Sequence, residues 1–357
     1  EKYFDSQLDP LPTTASWING MSYRVFHTAD QALIQFSLKH FADFFWGMRQ
    51  LPLLFDQHPI PEQIKTLLEL IQVLLNRPVI DQWMKRPKDK AYTWKETVYY
   101  GKFLLQDFKS ETRQLIQLYA RFDAWHSMAV ACTELQLHFP EIVSSPAPLL
   151  QAKGLYHLLL EHPVAYDLDM DPTSNFVFLT GANMAGKSTF IKAVGCAVYL
   201  AHLGMGVPAR AMTLSVFDGL LSNINVADNL AKGESYFFNE VQRIKNTLLR
   251  ISDGKNWLVL IDEIFKGTNI EDAMKCSTAV IRGLLKIRNS LFILSTHLYE
   301  IAQEVKAYPN ISFRYFSTTM EGEKLVFNYE LKEGVSQDRL GYLILKQEKV
   351  IELLDQL

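Results

Sequence analysis

The segment that most constrains this chain, residues 176–202, combines a predicted buried strand, a glycine-bracketed loop and a helix. Its first five residues are mainly aromatic and β-branched, which is typical of a buried strand. Gly181 and Gly186 then bracket four residues, and Lys187 and Ser188 complete the pattern G-x-x-x-x-G-K-[ST]. Because a strand precedes this pattern and a helix follows it, the segment predicts a phosphate-binding loop rather than an ordinary glycine turn.

Such a loop binds phosphate largely through its backbone. Glycines let the chain curl so that successive N–H groups point at an anion, and the following helix adds the positive end of its dipole. We expect Lys187 to reach the β- and γ-phosphates and Ser188 to offer its hydroxyl to Mg²⁺. The predicted cofactors are ATP and Mg²⁺. The predicted nucleotide contacts are Gly181, Ala182, Asn183, Met184, Ala185, Gly186, Lys187, Ser188 and Thr189.

Two adjacent acids end a second apolar run, at residues 258–263. Nucleotide hydrolysis needs carboxylates at such a strand end, opposite the phosphate loop. We expect Asp262 to hold the hydration shell of Mg²⁺ and Glu263 to polarise the attacking water. Acids at strand ends also cap helices, but the phosphate loop upstream favours the catalytic interpretation. Ser188 and Asp262 are therefore the predicted metal-site residues.

A third apolar run, at residues 291–295, is followed by Thr296 and His297. The carboxyl ends of neighbouring strands in a parallel sheet face the same crevice. We therefore expect His297 to contact the γ-phosphate or the attacking water, although a lone histidine is often structural.

A second helix start carries a Gly-x-Ser sequence, with Gly233 and Ser235 opening a predicted helix at 235–250. Helix N-termini of this kind bind anions. The chain already has one phosphate loop for its own nucleotide, so we expect Ser235 to serve a second subunit. The alternative is an ordinary serine-capped helix. The predicted catalytic residues are Lys187, Ser235, Glu263 and His297.

Length and element order predict two domains. A chain of 357 residues suggests about two domains, and residues 1–146 have mostly helical periodicity. Strands and helices alternate through 147–357, which indicates a mainly parallel sheet covered on both faces. The predicted fold is an α/β domain with a phosphate-binding loop and a β-hairpin addition, preceded by a mostly α-helical domain. Its predicted strands are 176–180, 214–223, 257–261, 291–295 and the hairpin 311–319 with 324–331; its predicted helices are 187–202, 235–250, 271–286, 298–308 and 337–354.

Composition gives weaker constraints. A charged fraction of 21% and a net charge of -3 neither indicate nor exclude nucleic-acid binding, because a local basic face can lie on a neutral whole. Three scattered cysteines, Cys132, Cys196 and Cys276, predict reduced, buried thiols in a cytoplasmic protein. We find no signal peptide and no apolar run long enough to span a bilayer.

Two features of the helical part have alternative interpretations. A basic run contains Lys85, Arg86, Lys88 and Lys90, and we expect a solvated loop in preference to a phosphate-contacting patch. An aromatic cluster at residues 41–46 is expected in the core, with a base-stacking platform as the alternative.

Taken together, these motifs resemble the ATPase domain of the MutS family, within the ABC-type ATPases. The family resemblance implies that the two predicted domains are a helical core or lever domain and an α/β phosphate-loop ATPase domain. The family's phosphate loop is T-G-P-N-M-G-G-K-S-T. The corresponding residues 180–189 depart from it at Ala182 and Ala185 and keep the family-specific pair Asn183-Met184.

Two further family motifs are matched with substitutions. The family's D-D-L-A-x-G-x-S-T-F is similar to residues 228–237, where Asn229 and Tyr236 differ. Its D-E-x-G-R-G-T-S is similar to residues 262–269, in which the differing residues are Phe265, Lys266 and Asn269. The family's T-H switch is matched by Thr296-His297, and Gly334-Val-Ser resembles a turn late in the family domain.

The resemblance covers residues from about 154 onward and, more weakly, a helix at 115–131 that is similar to the one returning from the family's lever arms. It implies a homodimer through the ATPase domains, with Ser235 reaching the γ-phosphate held by the partner. Mismatch-reading members carry a Phe-x-Glu wedge in an N-terminal domain. One literal match, Phe139-Pro140-Glu141, follows the lever-like helix and is interpreted as coincidence, so we expect that domain to be missing.

The resemblance implies an ATPase that binds and hydrolyses ATP in a dimer to control clamping on double-stranded DNA, mismatched or branched. The alternative is an ATP-driven conformational switch that acts on protein partners without DNA. A transporter ATPase is a distant third hypothesis, against which the Asn183-Met184 pair and the missing membrane segments argue.

Overall fold

The computed structural model describes residues 28–55, 59–87, 90–224, 236–321 and 324–336, together with residues 350 and 353. It divides into two compact units, Glu1–Ser127 and Met128–Leu357. The predicted terminal helix at 337–354 falls almost entirely outside the described residues.

The described part of the first unit is helical, as predicted. Its elements are α1 (Thr28–Gln50), a 3₁₀ turn (Leu51–Leu54), α2 (Glu62–Leu75), α3 (Pro78–Met84), α4 (Trp94–Lys102), a π-helical turn (Phe103–Asp107) and the first part of α5 (Lys109–Glu134). Local sequence explains two of the starts. Pro78 stands in the first turn of α3, where its missing N–H costs nothing. Thr93 and Glu96 form a reciprocal capping box at the start of α4.

Aromatic packing holds the first unit together. Phe45 is fully buried and makes edge-to-face contacts with Trp83 and Phe108. The prediction that the 41–46 cluster is core is thus confirmed for Phe45, but Trp46 is 49% exposed. Its position next to Phe45 on the helix turns it to a different face.

The predicted basic run is partly structural. The Arg86 side chain is 9% exposed, pairs with Glu96 at 3.2 Å and lies 3.9 Å from the ring centre of Tyr92. Because these contacts already use its guanidinium, Arg86 belongs to the fold rather than to a solvated loop. Lys88 lies outside the described residues.

The second unit is a mixed α/β structure. Its strands are β1 (Glu141–Val143), β2 (Leu150–Leu155), β3 (Tyr166–Met170), β4 (Phe176–Thr180), β5 (Ala211–Ser215), β6 (Gly219–Asn223), β7 (Trp257–Asp262), β8 (Ser290–Ser295), β9 (Ile311–Glu321) and β10 (Lys324–Glu333). Its helices are α6 (Lys187–His202), α7 (Tyr236–Ile251), α8 (Ile270–Leu284) and the short α9 (Ile301–Val305).

A six-stranded sheet with the order β10-β9-β4-β8-β7-β6 forms the centre of this unit. All neighbours are parallel except β9 and β10, which form the predicted antiparallel hairpin. The mainly parallel sheet is therefore confirmed. Strand β4 is apolar at every position because both faces of the large sheet are buried. Val177 and Leu179 pack toward α6, whereas Phe176 and Phe178 pack toward α7, α8 and α9.

A second, four-stranded sheet, ordered β1-β5-β2-β3, was not predicted. The apolar run 214–223 was expected to be one strand, and this prediction is wrong. The run is divided at Phe217 and Asp218 between β5 in the small sheet and β6 in the large one. His202, at the end of α6, accepts a hydrogen bond from the Phe217 N–H at 2.9 Å and fixes the crossing. The predicted helix 298–308 is also shorter, since α9 covers Ile301–Val305.

The units divide between Ser127 and Met128, inside α5, whereas the change in sequence pattern suggested residues 146 and 147. Strand β1 explains the difference. It pairs in parallel with β5, and His138 bridges to Val207, so the segment after α5 already belongs to the second unit.

The three cysteines are free, as predicted. The expectation that all are buried is wrong for Cys196, which is exposed on α6, while Cys132 and Cys276 are half-buried. Among the helices of the described ranges, none is both long and apolar enough to cross a membrane.

Candidate active site

The loop between β4 and α6 obtains its curvature from glycine. Gly181 has φ 140° and Gly186, the residue that caps α6, has φ 111°, both in the region that L side chains rarely adopt. A side chain at Gly181 would also approach the backbone oxygen of Phe316 to 3.2 Å. Because α6 starts directly after Gly186, its first N–H groups, which lack partners within a helix, face this loop.

Lys187 lies inside the loop and is 4% exposed. Its ammonium group donates hydrogen bonds to the carbonyl oxygens of Gly181 at 2.8 Å and Ala182 at 3.0 Å. Burial lowers the pKa of Lys187 below its ordinary value, and the charges of Glu263 and Asp262 oppose that shift. A buried cation at the mouth of an N–H-rich loop is a strong attractor for an anion.

A chain of short hydrogen bonds joins the loop to the two neighbouring strand ends. Ser188 donates to one carboxylate oxygen of Asp262 at 2.5 Å, and Ser295 donates to the other at 2.6 Å. Asp262 ends β7 and Ser295 ends β8, so the carboxyl ends of these parallel strands meet at the loop, as the sequence indicated.

Glu263 follows β7 in a tight turn and is surrounded by basic side chains. Its carboxylate lies 2.7 Å from the Lys266 ammonium, 3.7 Å from Lys187 and 3.9 Å from the His297 ring. Its backbone has φ 56°, and Phe265 has φ 60°. The structure thus brings Lys187, Glu263 and His297 together; the His297 side chain remains 53% exposed.

One buried acid of the site was not predicted from the sequence. Glu240, on α7, is 4% exposed and accepts the backbone N–H groups of Lys266 and Gly267, each at 3.2 Å. On the same helix, the Phe237 ring packs 5.6 Å from the ring of Phe265. The sequence does show an acid on the apolar side of an amphipathic helix. That pattern assigns no particular role to Glu240 until its partners in the structure are known.

A cavity of about 420 Å³ opens beside the loop. Loop residues and Glu263 form one side of it, and an apolar and aromatic wall forms the other. The wall residues are Leu160, His162, Val164, Tyr166 and Tyr329. The wall carries no motif in the sequence, because its residues come from three separate places: the connection before β3, β3 itself and β10.

The remaining predicted loop residues differ in exposure. Ala182, Asn183 and Thr189 line the cavity, and so does Met184, which is 75% exposed. Ala185, where the family motif has glycine, is 1% exposed and packs into the core under the loop. The substitution thus places a methyl group in the core under the loop. Ser235 and the stretch 228–234 lie outside the described residues.

The donor set fits Mg²⁺. Within the described residues, no group of three or more His, Cys, Asp or Glu side chains forms a ready-made metal cage. Mg²⁺ does not require one, because it usually takes one or two protein oxygens and completes its shell with water and phosphate oxygens. The Ser188 hydroxyl and the Asp262 carboxylate supply such a pair, already held in contact.

The strand that carries the loop is also tied to the end of the hairpin. The Thr180 hydroxyl accepts a buried hydrogen bond from the Ser336 N–H at 2.9 Å. Gly334, with φ 118°, turns the chain after β10 toward this contact, and its N–H bonds to Phe313. This is the turn that resembled a late family turn.

Comparison with known proteins gives a consistent result. A family model, MutS domain V, matches residues 177–352. Proteins called "DNA mismatch repair protein MutS" from Thermotoga petrophila and Thermotoga maritima are 32% and 33% identical over 201 residues, which is 55% of this chain. The counterpart from Thermotoga neapolitana is 33% identical over 178 residues, 50% of this chain. The aligned part spans 25%, 25% and 22% of those relatives' lengths, in that order.

Proposed function

The chain belongs to the MutS family, and on that premise we propose that it binds and hydrolyses ATP with Mg²⁺, in a dimer, to control clamping on double-stranded DNA. The observation that carries the proposal is the meeting of Lys187, the Ser188–Asp262 pair and Glu263 at one edge of the parallel sheet, beside a 420 Å³ cavity.

Each group has a role that follows from its surroundings. The loop N–H groups and Lys187 bind the β- and γ-phosphates, and their positive charge favours the charge that develops as the terminal phosphoryl group leaves. Glu263 orients the attacking water and accepts its proton. For this, the Glu263 carboxylate must give up its ion pair with Lys266 and bind the water instead. His297, at the adjacent strand end, contacts the γ-phosphate or the water.

Ser188 and Asp262 would hold Mg²⁺. When bound, the ion neutralises phosphate charge as a Lewis acid. Ser295 fixes the second oxygen of Asp262, so the carboxylate presents one defined edge to the site.

The aromatic wall supports a nucleotide rather than a bare phosphate. A planar base needs an apolar surface close to the phosphate loop, and Tyr166, Tyr329, Leu160 and Val164 offer one. The His162 ring can add a hydrogen bond at the same wall. We therefore propose that the base lies between the loop and this wall.

The proposal of a dimer depends on Ser235, which the family resemblance assigns to the nucleotide of a partner subunit. The test mixes Lys187→Ala subunits with Ser235→Ala subunits. In a mixed dimer one composite site carries both changes and the other carries neither, so ATPase activity should return although each variant alone is nearly inactive. If mixed dimers form and remain inactive, Ser235 does not act in trans on an independent site. Full activity of Ser235→Ala would remove its role altogether.

The DNA part of the proposal is tested by salt-titrated binding of the purified dimer to duplex, mismatched and branched DNA, with and without ATP. Phosphate contacts make the logarithm of affinity fall linearly with the logarithm of salt concentration. We expect such a slope and a change of affinity with ATP. An active ATPase without measurable DNA affinity at low salt would contradict DNA clamping and leave the switch that acts on protein partners.

A further inference from the structure

The turn after β7 has an unusual conformation for its sequence. Glu263 and Phe265 both have positive φ, at 56° and 60°, although neither is glycine. Side chains disfavour this region of backbone space, and non-glycine residues there persist only when surrounding structure determines them. Some contact outside the turn must therefore hold it.

Glu240 provides that contact. Its carboxylate accepts the N–H groups of Lys266 and Gly267, the two residues directly after Phe265, with one oxygen on each. The group is 4% exposed, so water does not compete for these bonds. A buried carboxylate is costly unless it is hydrogen-bonded, which makes the pairing specific.

The same contact sets the position of two site residues. Lys266, held through its N–H, is also the residue whose ammonium lies 2.7 Å from Glu263. Phe265 packs on Phe237 of α7. The turn is therefore attached to α7 at Glu240 by hydrogen bonds and at Phe237 by ring packing, whereas the Glu263 N–H bonds to Ser295 of β8. A shift of α7 would therefore change the position of Lys266 relative to Glu263.

We propose that Glu240 is a positioning residue for hydrolysis: it holds the turn that aims Glu263 and couples that turn to α7, without contributing to nucleotide binding. The proposal rests on the ATPase function proposed above. It locates control of the hydrolysis step in α7, separate from the phosphate loop that binds the nucleotide.

The test compares Glu240→Gln with Thr247→Val, a matched change on the same helix. Thr247 is 5% exposed and accepts a hydrogen bond from Asn223 at 3.0 Å, so its loss also removes a buried polar contact of α7 but leaves the turn alone. Gln preserves the volume of Glu but offers one acceptor oxygen instead of two. The measurements are the ATP dissociation constant, single-turnover and steady-state hydrolysis rates, and amide hydrogen exchange at Lys266 and Gly267.

We expect Glu240→Gln to bind ATP as the parent does, to hydrolyse it on the order of 10²-fold more slowly, as small misplacements of reacting groups do, and to exchange the two amides faster. Thr247→Val should keep the parent's rate and its exchange at these amides. A parent rate in Glu240→Gln, or a parallel loss of affinity and rate in both variants, would overturn the proposal.

Should Glu240→Gln not fold, Glu240→Asp, which keeps the charge but retracts it by one methylene, is judged by the same measurements. A parent protein that neither binds nor hydrolyses ATP would overturn both this proposal and the ATPase function, whereas failure in an active parent removes the role of Glu240 alone.

Discussion

The loop after β4 and the turn after β7 meet at one site but are built in different ways. In the loop, two of the three positive-φ positions are the glycines Gly181 and Gly186. Met184, with φ 68°, is the exception. The loop's own sequence therefore permits its shape.

The turn has no such local support. Its two positive-φ residues are Glu263 and Phe265, and its hydrogen bonds to Glu240 come from a helix that is distant in sequence. The phosphate-binding part is therefore preorganised locally, whereas the part assigned to hydrolysis depends on tertiary contacts. Binding and turnover should therefore respond to different sets of mutations.

The largest effect on nucleotide binding is expected at Lys187. Lys187→Ala removes the buried ammonium that faces the phosphates, and we expect ATP binding to be abolished while the fold persists. Isothermal titration calorimetry with Mg²⁺ and ATP, alongside circular dichroism, measures this. Parent-like affinity in a folded Lys187→Ala protein would contradict the proposed site.

A change in the turn after β7 should affect the rate of ATP hydrolysis rather than nucleotide binding. Glu263→Gln keeps the size of the side chain but cannot accept the proton of the water, so we expect normal ATP binding and hydrolysis slower by about 10²-fold or more. Single-turnover measurements are the appropriate readout because they exclude product release. If this variant hydrolyses ATP at the parent's rate, Glu263 has no role in the hydrolysis step.

Backbone strain in the turn can be measured with a pair of variants at Phe265. Truncating a buried Phe costs about 3–5 kcal/mol, which we expect for Phe265→Ala. Alanine keeps the left-handed backbone strain of about 1–2 kcal/mol, because it still has a Cβ, whereas glycine relieves it. Glycine in turn loses about 0.5–1 kcal/mol relative to alanine through its greater backbone entropy in the unfolded chain.

Phe265→Gly should therefore be more stable than Phe265→Ala by roughly 0.5–1 kcal/mol, the reverse of the usual order. Urea unfolding of both variants gives the difference. An alanine variant that is the more stable of the two would show that the turn relaxes and carries no strain.

The smallest expected effect concerns pH. Burial places the folded-state pKa of Lys187 below its ordinary value of 10.5, so the folded protein releases this proton before the unfolded chain does. The contribution of Lys187 to the unfolding free energy therefore rises with pH between the two pKa values. Without nucleotide, the parent should gain stability relative to Lys187→Met as the pH approaches 10.5. Parallel pH curves would show that the buried lysine is not perturbed.

The parts of the fold that were predictable are those with local signals. The strand β4, the loop and α6 were predicted with their observed bounds, because apolar run, glycine spacing and helical periodicity all lie within one short segment. The parallel pairing of β4, β8 and β7 followed from the alternation of strands and helices, but their order in the sheet was not predicted. The small sheet was not predicted, because β1 has only three residues and the apolar run that contains β5 continues in the sequence into β6.

The site shows the same division. Lys187, Ser188, Asp262 and Glu263 were identified from motif spacing, and the structure brings them together. Glu240 was not identified, because its function in the fold is to bond two backbone N–H groups of another segment, and backbone groups leave no trace in a sequence pattern.

The pairing of β4 has a consequence for the order in which a newly made chain can fold. Phe176 pairs with Phe292 on one side and with Ile311 on the other, so both neighbours of β4 are synthesised long after the phosphate loop. At a synthesis rate of about 5–20 residues per second, the loop waits on the order of ten seconds for its supporting strands. During that interval an apolar strand has no partner in the sheet, which is the state most exposed to aggregation. A ribosome paused before β9 would therefore hold a chain with the complete loop sequence and only half of the support that gives the loop its shape.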